Sequence, residues 1–151
     1  GRIVQQDHKE KVVFNPSNHT VARLVGFKNL MTGSVIGVNE SIILVKVPEL
    51  GLVKAVNQQT TKLAADRKIT VGIRPEYIQL GAKPGENTFE GILERKVEGV
   101  IATDYYFQVS KPGTVPHTVM AILPKPELVS VREGQTTLLY LPSEHVVVIA
   151  E

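Results

Sequence analysis

Cysteine and tryptophan are both absent from this chain of 151 residues, and aromatic residues make up only 5% of it. Without cysteine the chain has neither disulfides nor thiolate metal sites, which fits a reducing compartment. The low aromatic content argues against binding of nucleic acid, since single strands are held by stacking bases on aromatic rings. The formal net charge of +2 is also too small to indicate a polyanionic partner.

Long apolar runs and catalytic motifs are missing as well. The sequence has no stretch of about 18 apolar residues and no signal-peptide pattern, so it predicts no membrane-spanning helix. It contains no Gly-rich phosphate loop with its lysine and no closely spaced pair of histidines. Ser143, Glu144 and His145 are the residue types of a hydrolytic triad, but neighbours in an extended chain point to opposite faces. We therefore expect no catalytic residue, no metal site and no cofactor in this chain.

From Phe27 onward the sequence has the pattern of short β-strands separated by turns. Three apolar runs are followed by a polar connection and a bent strand, which is typical of a small five-stranded barrel. A mainly β fold is therefore predicted. The runs that we interpret as strands cover residues 30–38, 42–47, 52–56, 69–73, 105–110, 115–123, 137–141 and 145–149.

Two features of this pattern occur twice, which predicts two related halves. Asn29 and Asn87 each begin an Asn-x-x-x-Gly motif that leads into a strand. A strand, a break containing proline and glutamate, and a second strand occur at residues 69–80 and again at 137–149. Residues 81–85 separate the copies as a linker or tight crossover. Paired copies of this kind place a binding cleft along their seam.

Pro75 marks the bend in the first of these copies. Proline lacks the backbone donor that a central strand needs, so the sheet must stop or turn at this residue. We expect Arg74 and Glu76 to form a structural pair on either side of the bend rather than to take part in catalysis.

The first 26 residues differ from the rest of the chain. Val21, Leu24 and Val25 have helical spacing, and Gly26 suits the position just past a helix end. We expect a short N-terminal helical segment here. The chain also begins without methionine, and we interpret it as a piece of a longer protein.

Asn29 and Asn87 are the most informative polar residues, and two interpretations of them stay open. In the first, each side chain caps the turn that enters a strand by a hydrogen bond to the backbone. In the second, the two amides line a cleft for a small anion or polar solute, with Lys28 and Lys125 supplying positive charge.

Four short motifs follow one another in a fixed order: Gly-Arg-Ile-Val-Gln-Gln at 1–6, Asn-Pro-Ser-Asn at 15–18, Val-Ala-Arg-Leu-Val-Gly-Phe-Lys-Asn at 21–29 and Gly-Ile-Arg-Pro-Glu at 72–76. In this order they resemble the C-terminal portion of the ATP-binding subunits of ABC importers. The resemblance covers essentially the whole chain. It implies that residues 1–26 are the strand and helices that close a nucleotide-binding domain. Residues 27–82 and 83–151 would then be two OB-like or MOP-like halves of a transport-associated OB (TOBE) domain.

The resemblance implies a regulatory or dimerisation domain without ATPase chemistry of its own. The phosphate loop, ATP and Mg would belong to a missing ATPase domain. The implied partners are a second copy of the chain, permease subunits reached through that missing domain, and a small anion or other transported solute. The implied location is cytoplasmic, peripheral to the inner face of the cell membrane. A structural module without a solute site is the alternative.

The doubled motif is also similar to importers of molybdate and tungstate, whose paired small barrels bind oxyanion at their interface. Under this similarity the site residues are Lys28, Asn29, Asn87 and Lys125. Those modules usually begin Ser-Ala-Arg-Asn, whereas this chain has Gly-Phe-Lys before Asn29 and places Glu86 where an anion site needs a cation. Iron, sulfate, polyamine and sugar importers are the other classes left open.

Overall fold

The described residues form ten β-strands in two five-stranded sheets. They are residues 29–56, 66–127 and 131–149 of a computed structural model. One-turn 3₁₀ helices at Pro75–Tyr77 and Ser143–His145 lie between strands, and no helix in the described ranges is long and apolar enough to cross a membrane. The strands are β1 (Asn29–Val38), β2 (Ile42–Val47), β3 (Gly51–Val56), β4 (Lys68–Ile73), β5 (Gln79–Leu80), β6 (Thr88–Glu98), β7 (Ala102–Val109), β8 (His117–Pro124), β9 (Thr136–Tyr140) and β10 (Val147–Ile149).

Alternating burial along the strands shows that each sheet turns one face toward a buried core, and the main core cluster contains residues of both sheets. In β7 the side chains of Tyr105, Phe107 and Val109 are fully buried, while Tyr106 and Gln108 between them are only partly covered. The period of two is that of a strand with one face on a core. The prediction of a mainly β fold with two related halves is therefore confirmed.

The two halves exchange their last strands. The first sheet has the order β10-β4-β1-β2-β3 and the second has the order β5-β9-β6-β7-β8. Gln79 in β5 pairs with Tyr140 of the second sheet, and Val147 in β10 pairs with Gly72 of the first. The bend at Pro75 thus carries the chain out of one sheet and into the other.

Smaller irregularities also occur at matching places in both halves. The pairing of β1 with β2 shifts register between Val35 and Gly37, and the pairing of β6 with β7 shifts between Leu93 and Arg95. The 3₁₀ turn after β4 packs on β8, and the turn after β9 packs on β3. The halves are therefore related by an approximate twofold axis.

Three predictions about the organisation of the chain are not tested by these strands. The expected N-terminal helical segment and the assignment of residues 1–26 to a nucleotide-binding domain lie outside the described residues. The boundary between residues 82 and 83 stays a prediction. It does not divide the two sheets cleanly, because β5 lies before it but joins the second sheet, and β10 lies after it but joins the first.

Candidate functional site

Asn29, the first residue of β1, is buried and forms two hydrogen bonds to the opposite sheet. Its Nδ2 donates to the carbonyl of Met120 over 2.8 Å, and the Met120 N–H donates to its Oδ1 over 2.8 Å. Met120 lies in β8, 91 positions away along the chain. The amide therefore fastens the start of one half to the third strand of the other.

Asn87 forms the matching contact in the other direction. The Lys54 N–H donates to Asn87 Oδ1 over 2.7 Å, and Asn87 Nδ2 donates to the carbonyls of Lys54 (2.7 Å) and Leu141 (2.9 Å). Lys54 lies in β3 of the first sheet. Asn87 also has a φ of 53°, in the left-handed region that asparagine tolerates better than most residues.

These two contacts, which we call the asparagine clamps, each bind one residue of an edge strand. β3 and β8 are edge strands, and an edge strand presents unpaired backbone groups to solvent or to another chain. A side-chain amide carries one donor and one acceptor group, like a peptide unit, and can bond to a backbone N–H and C=O together. The clamps thus join the two halves and also form hydrogen bonds to backbone groups of the edge strands.

Of the four predicted oxyanion residues, Asn29, Asn87 and Lys125 lie in the described part of the chain, and their role in anion binding stays a prediction. Lys28 lies outside the described residues. Lys125 is exposed, five residues beyond Met120, which is roughly 16 Å along an extended strand from the Asn29 contact. Both asparagine amides are already bonded to the backbone. The side-chain-to-backbone bonding that one interpretation expected is present, but the partners are distant in sequence instead of in a local turn. Met120 and Lys54 lie in edge strands of the other sheet, and Leu141 follows β9.

The surroundings of the clamps also leave little room for an anion. Glu86 forms an ion pair with Lys54 (Oε1 to Nζ, 2.8 Å), which uses a positive charge beside Asn87. A crevice beside Asn29 is too narrow to hold a water molecule. Its other lining residues are apolar or glycine: Met31, Val53, Val71, Gly72, Ile73, Leu141 and Val146.

Tyr77 and His145 stack on each other where the two 3₁₀ turns meet. Their ring centroids are 3.8 Å apart and the ring planes differ by 2°. Each residue is the last of its turn, so the two occupy equivalent positions in the two halves. His145 thus contributes to packing between the halves, and the Ser-Glu-His run forms an ordinary turn.

Arg74 and Glu76 lie on either side of Pro75 in an ion pair of 3.6 Å (Nη2 to Oε2). The side chains are 27% and 48% exposed, so solvent weakens the attraction. We expect Arg74→Ala to lower the free energy of unfolding by about 0.5–1 kcal/mol, because it removes the pair and some packing of the arginine stem. Thermal melting followed by circular dichroism checks this, with Glu76→Gln as the control that removes charge alone. An unchanged melting temperature would count against the predicted structural role.

A polar cluster in the second half was not singled out from the sequence. Thr103 and Tyr105 are buried in β7, and their hydroxyls face the carboxylate of Glu127, which follows β8. None of Thr103 Oγ1, Tyr105 Oη and Glu127 Oε1 reaches a partner at good hydrogen-bond geometry, although all three atoms are buried. No sequence pattern marks this cluster, since Thr and Tyr suit any strand.

The environment of this cluster favours a negative charge on Glu127. The Thr103 hydroxyl, followed by the charge of Lys96, the Tyr105 hydroxyl and the charge of Lys125, holds the pKa of the Glu127 carboxyl below its ordinary value. Burial, followed by the nearby Glu127 carboxylate, raises the pKa of Tyr105. Both pKa shifts favour a cluster in which Glu127 is ionised and Tyr105 is protonated.

The lowered pKa of Glu127 predicts a specific pH dependence. The native state binds a proton at Glu127 less readily than the unfolded chain does, so the ionised carboxylate stabilises the fold above the unfolded pKa. This contribution is lost as the pH falls from about 4.5 through the lower native pKa. We expect wild type to be more stable than Glu127→Gln at neutral pH and the difference to shrink in acid. Urea denaturation at several pH values measures it, and a difference that does not change with pH would contradict the assignment.

No group of three or more histidine, aspartate or glutamate side chains that could hold a metal ion occurs in the ranges 29–56, 66–127 and 131–149. The candidate sites in these ranges are the asparagine clamps and the cluster around Glu127.

Comparison with known proteins finds relatives among the ATP-binding proteins of importers. No family model matches it. It is 29% identical over 100 residues to the molybdate/tungstate import ATP-binding protein WtpC of Pyrococcus abyssi, covering 66% of this chain and 26% of that protein. It is 26% identical over 116 residues to the spermidine/putrescine import ATP-binding protein PotA of Thermotoga maritima, covering 74% of this chain and 31% of that protein. The chain thus spans roughly a quarter to a third of the length of these relatives.

A solved structure shows the same fold. The cytoplasmic molybdate-binding protein ModG, solved with molybdate bound, superimposes with a TM-score of 0.68 at 13% sequence identity, covering 83% of this chain and 97% of that chain. The match is to a binding protein and not to an ATPase catalytic domain. ATP-binding subunits of ABC importers are therefore homologues of this chain, and its fold is that of a molybdate-binding protein.

Proposed function

We propose that this chain acts as a regulatory and dimerisation domain of an ABC importer ATP-binding subunit. The observation that carries the proposal is its similarity to two import proteins with very different solutes. Molybdate and tungstate are anions, whereas spermidine and putrescine are cations at neutral pH. One solute site does not suit both charges. The sequence similarity to both relatives is therefore better explained by a common structural framework than by a binding site for either solute.

The clamped fold suits such a framework. The strand exchange and the reciprocal bonds of Asn29 and Asn87 join the two sheets at several points. Because the two sheets are joined, a partner that binds one half would also affect the position of the other half, and the sheets would not separate. The proposed partners are a second copy of the chain and, through a preceding ATPase domain, permease subunits at the inner face of the membrane. A solute or partner would shift the ATPase only by its differential affinity for two arrangements of the dimer.

The test uses the whole subunit. The coding sequence upstream of Gly1 is first read for a phosphate loop, and the subunit is then produced with and without the segment from residue 27 onward. We expect removal of the segment to weaken dimerisation, measured by sedimentation at several concentrations, and to change how ATP hydrolysis responds to the solute. The absence of a phosphate loop upstream, or unchanged association and response, would overturn the proposal.

A dedicated oxyanion-binding module is the second candidate, and the observation that favours it is the fold shared with ModG. Binding at Asn29 or Asn87 would have to replace backbone hydrogen bonds in the clamps. The test is the melting temperature of the chain with molybdate, tungstate, sulfate or phosphate, with spermidine as a probe of opposite charge. A ligand specific to the folded state at 100 times its Kd adds about 2.7 kcal/mol of stability. A shift with oxyanions supports this candidate, and no shift with any probe favours a framework without a solute site.

A further inference from the structure

Three buried oxygens at one end of the second sheet have no well-formed hydrogen bond. They belong to Thr103, Tyr105 and Glu127, and the first two residues are fully buried. Thr103 pairs with Leu123 near the end of β8, so the turn after that strand brings Glu127 over the two hydroxyls. Buried polar atoms are normally satisfied, and a group of three that is not requires an explanation.

We propose that this cluster is a binding site for a small carboxylate or oxyanion, and that the side chain of Glu127 occupies it as an internal substitute in the present structure. Thr103 and Tyr105 each present a hydroxyl that can donate to an anion. Lys96 Nζ lies 5.6 Å from the centre of the Tyr105 ring and supplies positive charge from β6. Lys125, two residues before Glu127, supplies a second positive charge on the solvent side.

The electrostatics of the cluster agree with this assignment. The charges and hydroxyls around Glu127 all favour the ionised carboxylate, as its lowered pKa shows. Glu98 is the opposing charge, and its effect falls on Tyr105. The site therefore already holds one carboxylate on a flexible side chain, and a free anion of similar size would meet the same donors.

The first half shows that the fold does not need this polar cluster. Val35 pairs with Val45 in the first sheet as Leu93 pairs with Phe107 in the second, so Ile43 is the counterpart of Tyr105. Ile43 is buried and apolar. One half thus fills this part of its core with a hydrocarbon side chain, whereas the other places an oxygen there that lacks a good partner.

This inference goes beyond the proposed regulatory function and does not rest on it. It uses residues away from the asparagine clamps, and the experiment measures anion binding by the chain itself. A negative result would leave the importer proposal standing, and failure of the importer proposal would leave this site standing.

The experiment is chemical rescue of Glu127→Ala in the full chain. We expect the variant to melt at a lower temperature than wild type. Formate or acetate should raise its melting temperature again, and the rise should saturate with anion concentration. At 100 times the Kd the rise should be roughly 5–10 °C, while wild type responds much less because Glu127 competes. Sulfate and molybdate in parallel distinguish a carboxylate site from a tetrahedral oxyanion site, and either response supports the proposal.

Two controls make the result specific. The same ionic strength of sodium chloride must not reproduce the rise, and the double variant Glu127→Ala with Thr103→Val must lose it. Rescue by chloride, rescue that survives in the double variant, or no rescue by any of the four anions would each overturn the proposal. If Glu127→Ala does not fold, Glu127→Ser is subjected to the same measurements.

Discussion

Asn87→Ala is expected to lower the free energy of unfolding by about 3–5 kcal/mol, the largest effect that we predict for a single substitution. The change removes three hydrogen bonds and leaves backbone groups of Lys54 and Leu141 without their side-chain partner. Alanine is also less suited than asparagine to the φ of 53° at this position. Urea denaturation followed by circular dichroism measures the loss.

Asn39→Ala is the matched control for this prediction. Asn39 Oδ1 also accepts two backbone hydrogen bonds, from Ser41 and Ile42, but these are local and exposed. Asn39→Ala should lower the free energy of unfolding by about 1 kcal/mol. Equal losses for the two variants would show that Asn87 acts only within its own turn and does not clamp the sheets together.

Gly33→Ala is expected to cost about 2–3 kcal/mol because the new methyl group has no room. A Cβ at this position would lie 2.7 Å from Val45 Cγ1 and 2.8 Å from the carbonyl oxygen of Lys46. The valine side chain is packed in the core and the carbonyl belongs to the backbone of β2, so neither can move aside at low cost. This explains why the Asn-x-x-x-Gly motif ends in glycine.

Two other glycines provide a graded comparison. At Gly91, the counterpart in the second half, a Cβ would lie 3.1 Å from Leu139 Cδ1 and from Phe107 Cβ, so Gly91→Ala should cost less, about 1 kcal/mol. At Gly85 a Cβ meets nothing within 4 Å, and Gly85→Ala should stay within about 0.5 kcal/mol of wild type. Denaturation of the three variants should give the order Gly33, Gly91, Gly85, and a different order would contradict the packing argument.

Most strands of this fold could be predicted because their signals are local. The turn at residues 39–41 separates β1 from β2, Pro48 follows the end of β2, and Pro75 ends the first copy of the bent strand. These residues act through their own backbone geometry, so no knowledge of distant contacts is needed. The repeated Asn-x-x-x-Gly motif likewise indicated two related halves, which the matching register shifts support.

The pairing between the halves could not be predicted in the same way. β5 has two residues and β10 has three, and segments this short have the same sequence pattern whichever sheet they join. The partner of Asn29 is 91 positions away, so sequence alone could mark the asparagine as unusual but not name Met120. The cluster around Glu127 could not be predicted, because it depends on which polar atoms of Thr103 and Tyr105 are buried beside Glu127. The sequence does not show this.

The stacked rings of Tyr77 and His145 have a consequence for the ancestry of the fold. They occupy equivalent positions in the two halves and meet at a separation of 3.8 Å, so they lie close to the approximate twofold axis. If a single half once paired with a second copy of itself, this position faced its own duplicate, and one substitution changed both sides of the contact. In one polypeptide the two sides are separate residues and can differ. A tyrosine against a histidine is therefore a pairing that two identical copies of one half could not form at this position.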